Sequence, residues 1–328
     1  MTVIHRIEIP LPFPIGSVNS YFIEDSIPTL IDAGLYSDRA LGVMESELRK
    51  RGYGLSDIQR ILLTHGHLDH VGLAGKIASI SKAKVFIHPW DQCKAMWNGR
   101  DEKRKIEPFV KFFQESGLPE NIINTLSAHM SAHFSKYFID DFPLQNITEY
   151  KSFPFDDFIL ETIYCPGHTR GSMCFFDGKN NRLFSGDHLL QKITSNPVIE
   201  IQNRNVDDDY RSLSSYISSL EMIGKMGVKI VLPGHGEPFP SPEKQIEKTI
   251  HHHEIRREDI LRFVRANKKQ LNNGHGTTLF SITQKIFPDL KEWDIFLGLS
   301  EVHGHIKVLE NQGLIKVFKE DGQYIYHP

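Results

Sequence analysis

The segment Thr64–His70 constrains this chain more than any other, because it gathers four side chains that commonly bind metals. It follows a short apolar run and reads THGHLDH. His65 and His67 alternate, so an extended backbone would point both to the same side. Asp69 and His70 follow where the sequence turns toward a helix. Imidazole and carboxylate ligands at this spacing predict a metal site, with zinc favoured over iron or manganese.

Three later segments each place another metal-binding residue type beside a glycine, at or near the end of an apolar strand. The segments are Cys165–Thr169, Ser185–His188 and Pro233–Gly236, and their candidate ligands are His168, Asp187 and His235. A histidine-rich surface loop is the alternative interpretation of the first segment, since the chain contains 17 histidines. The three later segments favour a complete site.

Together, and in this order, these motifs resemble the two-metal hydrolases of the metallo-β-lactamase superfamily. The resemblance implies that the first metal is held by His65, His67 and His168. It implies that the second metal is held by Asp69, His70 and His235, with Asp187 bridging the two. Asp69 and Asp187 would then also be the catalytic residues. The cofactor implied is a pair of divalent ions, with zinc favoured.

The order of the predicted elements favours an α/β layered fold. An alternating strand covers Val3–Ile9, and a hairpin joins Tyr21–Glu24 to Thr29–Ile31. An amphipathic helix follows over Ser37–Arg51, and Ile58–Leu63 is the strand that leads into the main motif. The superfamily resemblance sharpens this to a four-layer αββα sandwich with the metals at one edge.

The predicted catalytic domain of residues 1–240 contains an insertion and is followed by a second domain. Between about 90 and 150 the strand pattern lapses, and helices over Asp101–Ser116 and Pro119–Tyr137 predict an inserted helical cap. Residues 241–328 are expected to form a long helix that begins at Ser241–Glu243, followed by a winged-helix-like domain. In that tail we predict helices over Leu279–Phe287 and Leu299–Glu310, and then a hairpin.

The long helix with a winged tail is similar to one branch of the superfamily, the β-lactamase-like hydrolases that include polyketide thioesterases and a mitochondrial endoribonuclease. Winged helices often bind DNA, but residues 276–328 contain five lysines and no arginine against seven acidic residues. This negative balance is a poor surface for DNA. We expect the tail's apolar residues to pack against the long helix or a second subunit, so a homodimer is one arrangement to test.

The composition of the chain bears on its partners, its redox compartment and its location. The formal net charge of −3 gives no reason to expect a polyanionic partner. The three cysteines lack CxxC spacing, which favours a reducing compartment. We find no signal-peptide core and no apolar stretch long enough for a membrane span, so a cytoplasmic location is expected.

Several polar residues outside the seven candidate ligands have two interpretations. Asp32 is either turn chemistry or part of the metal site, and His188 either supports a ligand or lines the site. His129 and His133 lie four apart and could share a helix face, but no third ligand is near them in sequence. The run His251–His253 is interpreted as a polar helix face, because consecutive helical residues point about 100° apart.

The predicted chemistry is hydrolysis by a hydroxide held between two ions, without a covalent protein intermediate. A small or carrier-bound acyl thioester or ester is the favoured substrate. The alternatives are an endoribonuclease, a lactonase or glyoxalase-II-like hydrolase, and a non-hydrolytic protein with one iron or vestigial metals. RNA is not favoured, because the cap has seven basic against nine acidic residues. Its aromatic residues predict an apolar wall facing the substrate.

Overall fold

The computed structural model describes residues 2–12, 15–95, 102–136, 142–202, 205–206, 210–267, 277–291 and 293–328. The strands are β1 (Val3–Pro10), β2 (Ser17–Glu24), β3 (Thr29–Ile31), β4 (Arg60–Leu62), β5 (Lys84–Ile87), β6 (Leu144–Asn146), β7 (Ser152–Pro154), β8 (Ile159–Tyr164), β9 (Met173–Asp177), β10 (Arg182–Gly186), β11 (Ile201–Gln202), β12 (Asn205–Val206), β13 (Ile230–Pro233), β14 (Phe239–Pro240), β15 (Thr277–Thr278), β16 (Lys316–Glu320) and β17 (Gln323–His327). The helices are α1 (Asp38–Arg49), α2 (Leu68–Val71), α3 (Ala74–Ser81), α4 (Pro89–Ala95), α5 (Glu102–Glu115), α6 (Glu120–Lys136), α7 (Ser212–Gly224), α8 (Pro242–Ala266), α9 (Leu279–Ile286) and α10 (Trp293–Asn311).

Two mixed sheets are formed by strands between Val3 and Pro240. The first has the order β1-β2-β3-β4-β5-β6, antiparallel from β1 to β3 and parallel from β3 to β6. The second has the order β14-β13-β10-β9-β8-β7, in which only β10 and β13 run parallel. The predicted α/β fold is confirmed, including the hairpin of β2 and β3.

The two sheets face each other across a shared apolar core. Side chains of the first sheet, such as Ile23 and Leu62, pack there with Leu160, Phe175 and Phe184 of the second. The opposite face of the first sheet is covered by a separate core that includes residues of α1 and α3. Burial on both faces explains why Ile61–Leu63 and Val85–Ile87 are continuous apolar runs rather than alternating ones.

Helix α1 begins as its sequence predicts. Ser37 has an extended backbone, and its hydroxyl accepts a hydrogen bond from the backbone N–H of Ala40 at 3.1 Å. Such a cap satisfies one of the N–H groups that a helix start leaves without a partner. Ala40, Met44 and Leu48 are the buried stripe of this helix.

The chain forms two compact units that are not continuous in sequence. The first comprises Met1–Gly99, Lys136–Ser195 and Ser218–Ile246. The second comprises Arg100–Ser135, Asn196–Ile217 and Glu247–Pro328, so α5 and most of α6 share a unit with the C-terminal elements. The sequence-based boundary at residue 240 and the cap insertion of about 90–150 stay predictions.

The second unit has its own apolar core, built from α5, α6, α8, α9 and α10. Its sheet has the order β15-β17-β16, and the predicted hairpin turns at Asp321 and Gly322, both with positive φ. Helix α10 begins at Trp293, earlier than the predicted start at Leu299, because the core extends to Phe296. The assignment of these elements as a winged helix stays a prediction.

Among the described residues, no helix combines the length and the apolar character that a membrane crossing requires.

The inter-sheet core should dominate the stability of the first unit. Replacing the fully buried Phe175 with alanine is expected to lower the free energy of unfolding by about 3–5 kcal/mol, through lost burial and the cavity left behind. Ile159→Ala is the matched control, because Ile159 lies on the neighbouring strand and is 58% exposed. Urea unfolding followed by circular dichroism measures both, and equal losses would contradict this assignment of the core.

Candidate metal centre

Asp32 and Thr64 orient the first histidine of the motif. The backbone N–H and the hydroxyl of Thr64 each donate a hydrogen bond to the Asp32 carboxylate, both at 2.8 Å. Because the hydroxyl hydrogen is used there, its oxygen can accept from His65 Nδ1, which lies 3.1 Å away. This arrangement leaves the Nε2 lone pair of His65 for a metal.

Asp32 also holds His70, which lies on α2. His70 Nδ1 donates to Asp32 Oδ2 at 2.7 Å, and His70 Nε2 faces Asp187 Oδ1 at 3.3 Å. Asp32 has a left-handed backbone with φ 58°, so it combines turn geometry with support of two ligands. Both interpretations that the sequence left open therefore apply.

The second and third histidines of the first ligand set lie against each other. His67 Nδ1 is 3.0 Å from His168 Nε2, although 101 residues separate them in sequence. The other nitrogen of His168, Nδ1, lies 2.9 Å from the Ser195 hydroxyl. Two nitrogens on one tetrahedral zinc lie about 3.3 Å apart, so this pair is positioned to share an ion.

His235 reaches the centre from the loop after β13. Its Nδ1 donates to the Ser17 carbonyl at 2.6 Å, which leaves Nε2 as the ligand atom. That Nε2 lies 3.4 Å from Asp69 Oδ2 and 3.3 Å from Asp187 Oδ2. The Asn19 side-chain amide donates to two carbonyls of the same loop, those of Pro233 and Gly236, at 2.9 and 2.7 Å.

The structure brings all seven predicted ligands together. Their ligand atoms form three overlapping sets, each with its members within 4.8 Å of one another. The sets are His65–His67–His168, His65–His70–Asp187, and Asp69–His70–His235. Asp187 also lies close to the first of these sets, since its Oδ2 is 3.7 Å from His168 Nε2.

The donor atoms fit divalent ions. Within the described part of the chain, His65 Nε2, His70 Nε2, His235 Nε2 and Asp187 Oδ1 are buried and form no hydrogen bond. Buried polar atoms are rarely left in this state, and here they face one another. Gly234 keeps the space open, because a Cβ there would overlap the Asp187 carboxylate. Nitrogen and carboxylate donors of this kind suit zinc.

The imidazoles of the centre fall into two groups, one with lowered and one with raised pKa values. Burial, together with His168, lowers the pKa of His67 to about 3, and burial with neighbouring imidazoles holds the pKa of His65 well below its ordinary value. Both side chains are therefore neutral at pH 7, as metal ligands must be.

The other half of the centre attracts positive charge. Burial alone would lower the pKa of His235 and His70, but nearby carboxylates raise both, that of His235 to about 10. Burial raises the pKa of Asp69, but His70 and His235 outweigh it and bring the value to about 2. Burial likewise raises the pKa of Asp187, but the same two histidines outweigh it and hold the value well below its usual range.

Asp91 is a supporting residue that sequence reasoning missed. Its buried carboxylate accepts from the Gly66 N–H at 2.9 Å, the Thr169 hydroxyl at 2.6 Å and the Gly171 N–H at 3.2 Å. It thereby ties the His65–His67 loop to the His168 loop. The available signal was its position shortly after β5, the strand next to β4 in the sheet.

The remaining histidines have different surroundings. His188 is buried, and burial with His168 lowers its pKa to about 3, which leaves its role as support or lining open. His129 is exposed, and the His133 side chain lies outside the described residues. The polar-face interpretation of His251–His253 is wrong for His253, which is buried because it faces α10.

Comparison with known proteins decides the family. The sequence profile described as "Metallo-beta-lactamase superfamily" matches residues 14–235, more than half of the chain. The chain belongs to the metallo-β-lactamase superfamily. It is therefore a metal-dependent hydrolase of that superfamily, as the sequence motifs predicted.

Individual relatives agree with this assignment. The chain is 29% identical over 327 residues to "Probable metallo-hydrolase YqjP" of Bacillus subtilis (strain 168), covering 98% of this chain and 96% of that protein. A metallo-beta-lactamase family protein from Thermus thermophilus has a TM-score of 0.81 at 22% identity, with 99% and 98% coverage. A beta-lactamase domain protein from Burkholderia ambifaria has a TM-score of 0.82 at 19% identity, with 99% and 92% coverage. The two structures support the fold.

Because Asp91 ties the His65–His67 loop to the His168 loop, its removal is expected to weaken metal binding. Asp91→Ala should weaken metal affinity or activity by about 10–100-fold, since supporting carboxylates commonly contribute this much. Chelator competition on the purified protein measures the affinity, with circular dichroism to check folding. Cys93→Ala is the control, because Cys93 is an exposed thiol on the same helix. Equal affinities for the two variants would refute the tethering role.

The raised pKa of His235 predicts how metal affinity depends on pH. Below about pH 10 the metal-free imidazole carries a proton, and an incoming ion must displace it. Affinity should rise with pH up to that value, by about tenfold per unit for each displaced proton. Calorimetric titration in two buffers of different ionisation enthalpy counts the released protons. An affinity independent of pH across the neutral range would contradict the charge assignment.

Proposed function

We propose that this chain hydrolyses acyl thioesters or esters with two divalent ions, and that zinc is the native metal. The observation that carries the two-ion proposal is the position of Asp187 between two sets of ligand atoms. Its Oδ1 lies 3.3 Å from His70 Nε2, and its Oδ2 lies 3.3 Å from His235 Nε2 and 3.7 Å from His168 Nε2. One ion of tetrahedral geometry cannot use all seven ligands.

The two ions, when bound, lower the pKa of a water molecule and polarise the carbonyl of the substrate. His65, His67 and His168 would hold one ion, and Asp69, His70 and His235 the other. The backing hydrogen bonds to Thr64, Asp32, Ser195 and Ser17 keep the imidazoles oriented without help from the substrate. A preoriented site of this kind lowers the reorganisation that the reaction requires.

Asp69 is suited to accept a hydrogen bond from the attacking water. Its pKa of about 2 keeps the carboxylate ionised at neutral pH, so it can only accept hydrogen bonds. Its Oδ2 lies 3.4 Å from His235 Nε2 and 3.9 Å from His70 Nε2. From there it can accept a hydrogen bond from the water and fix its direction of attack.

Exposed apolar side chains beside the ligand loops support an acyl substrate. Trp90 and Tyr164 are each 43% exposed, and Ile193 is 45% exposed. Trp90 precedes the tethering Asp91, Tyr164 begins the segment that leads to His168, and Ile193 lies two residues before Ser195. Apolar surface near a polar centre is typical of pockets that bind apolar groups.

A guanidinium accompanies these apolar side chains. Arg170 lies over the Trp90 ring, 3.6 Å from its centroid. Stacking keeps the planar group in place, and it can bind a phosphate with paired hydrogen bonds. A phosphopantetheine thioester, in which an acyl group and a phosphate occur together, fits this combination.

The phenylalanines of α5 in the predicted cap lie in or against an apolar core. Phe112 and Phe113 are buried in the core of the second compact unit, and Phe109 packs against it. Phe112 and Phe113 therefore stabilise this core and do not form a wall that faces the substrate. Trp97 and the side chains of Phe134, Tyr137 and Phe138 lie outside the described residues. The proposal therefore rests on the apolar side chains of the first unit.

The substrate class can be tested through Trp90. Trp90→Ala should lower kcat/KM for a long-chain acyl thioester by about tenfold or more, as expected for the loss of one large apolar contact. It should change kcat/KM for an acetyl thioester much less. Phe318→Ala, which removes a similarly exposed ring from the second unit, is the control.

The outcomes of this assay separate the competing functions. Equal losses of kcat/KM for the long and short acyl thioesters would show that Trp90 does not contact the acyl group. Efficient cleavage of single-stranded RNA, lost in His67→Ala and unaccompanied by thioester or ester hydrolysis, would replace the proposal with the endoribonuclease alternative.

A further inference from the structure

A second cluster of ligand-type side chains lies in the second compact unit. His253 on α8 is 3% exposed, and His305 on α10 is fully buried. Glu301 precedes His305 by one helical turn on α10. Each residue offers a ligand atom, and the three atoms lie within 4.8 Å of one another.

The distance between the two imidazoles matches a shared ion. His253 Nδ1 lies 3.3 Å from His305 Nε2. Two nitrogens bound to one tetrahedral zinc at about 2.0–2.1 Å each lie about 3.3 Å apart. Residues four apart on a helix share one face, which places Glu301 and His305 side by side toward α8. Two histidines and one glutamate form a donor set that zinc accepts.

The surroundings keep both imidazoles neutral. Burial, with the neighbouring His252 and Arg256, lowers the pKa of His253 to about 3. Burial and His253 hold the pKa of His305 well below its ordinary value.

The carboxylate of the cluster is partly neutralised. Arg256 Nε lies 3.3 Å from Glu301 Oε1, and the guanidinium lies 4.4 Å from the centroid of the Phe287 ring. Because a carboxylate has two oxygens, Glu301 can contact this cation and a metal together. The charge of Arg256 opposes a second cation nearby, so the affinity should be lower than that of a site without an arginine.

We propose that His253, Glu301 and His305 bind one divalent ion of the zinc class, separate from the seven-ligand centre. The ion cross-links α8 to α10 and stabilises the second unit, and water completes its coordination. Only His253 of the three consecutive histidines takes part. His251 is exposed on the same helix and His252 is half-buried.

Metal content tests this proposal in a full-length chain whose first centre is disabled. The variant His65→Ala/Asp187→Ala/His235→Ala should retain about one equivalent of zinc after desalting. Adding His305→Gln should remove it, whereas adding His251→Gln should not. Circular dichroism establishes that each variant is folded. A folded triple variant without zinc would overturn the proposal and leave a directly hydrogen-bonded imidazole pair.

A second measurement does not depend on folding of the triple variant. In the otherwise unchanged chain, His305→Gln should lose about one equivalent of zinc relative to His251→Gln and keep its acyl hydrolase activity. Zinc added to the metal-depleted His251→Gln protein should raise the melting temperature of the second unit by mass action, and the same addition to His305→Gln should raise it less. Equal metal content and equal melting shifts would overturn the site.

Discussion

Every imidazole of the metal centre must turn one nitrogen lone pair toward an ion, and a contact to its other nitrogen fixes that orientation. In this chain the backing groups come from distant segments. Asp32 supports His70 directly and His65 through Thr64, while the Ser17 carbonyl supports His235 and the Ser195 hydroxyl supports His168. The chemistry therefore depends on how closely the surrounding fold holds these groups in position, as much as on the ligands themselves.

The two-sheet architecture brings these segments together. Neighbouring strands β3 and β4 end beside each other at the paired residues Ile31 and Leu62. Asp32 directly follows Ile31, Thr64 lies two residues after Leu62, and the two residues are hydrogen-bonded. In the second sheet, β10 and β13 run parallel, and Asp187 and His235 follow their carboxyl ends. Candidate ligands that follow the carboxyl ends of adjacent parallel strands lie at one edge of the sheet, which packs on the apolar core between the two sheets.

The residues that the sequence predicted best lie in short motifs that are rich in metal-binding or turn-forming residue types. The motif Thr64–His70 and the glycine-flanked His168, Asp187 and His235 supplied all seven candidate ligands, and the structure places their ligand atoms in three overlapping sets. The helix start at Ser37 and the turn at Asp321–Gly322 were also readable, because a few adjacent residues determine each.

The residues that the sequence did not reveal act through contacts between distant segments. Asp91 resembles any helix-start acid until the fold places Gly66, Thr169 and Gly171 around it. His253 has polar neighbours in sequence, yet the helix turns it into a buried contact with His305. Helix α10 extends past its predicted start because tertiary packing, rather than local propensity, determines where it begins.

The central claim is that one buried carboxylate, Asp187, lies between two ions. Anomalous diffraction from crystals of the metal-loaded protein, recorded at the absorption edge of the bound metal, tests it most directly. Two anomalous peaks are expected about 3.5–4 Å apart, one beside His65, His67 and His168 and the other beside Asp69, His70 and His235. A single peak at full occupancy, with Asp187 bound to one ion alone, would contradict it.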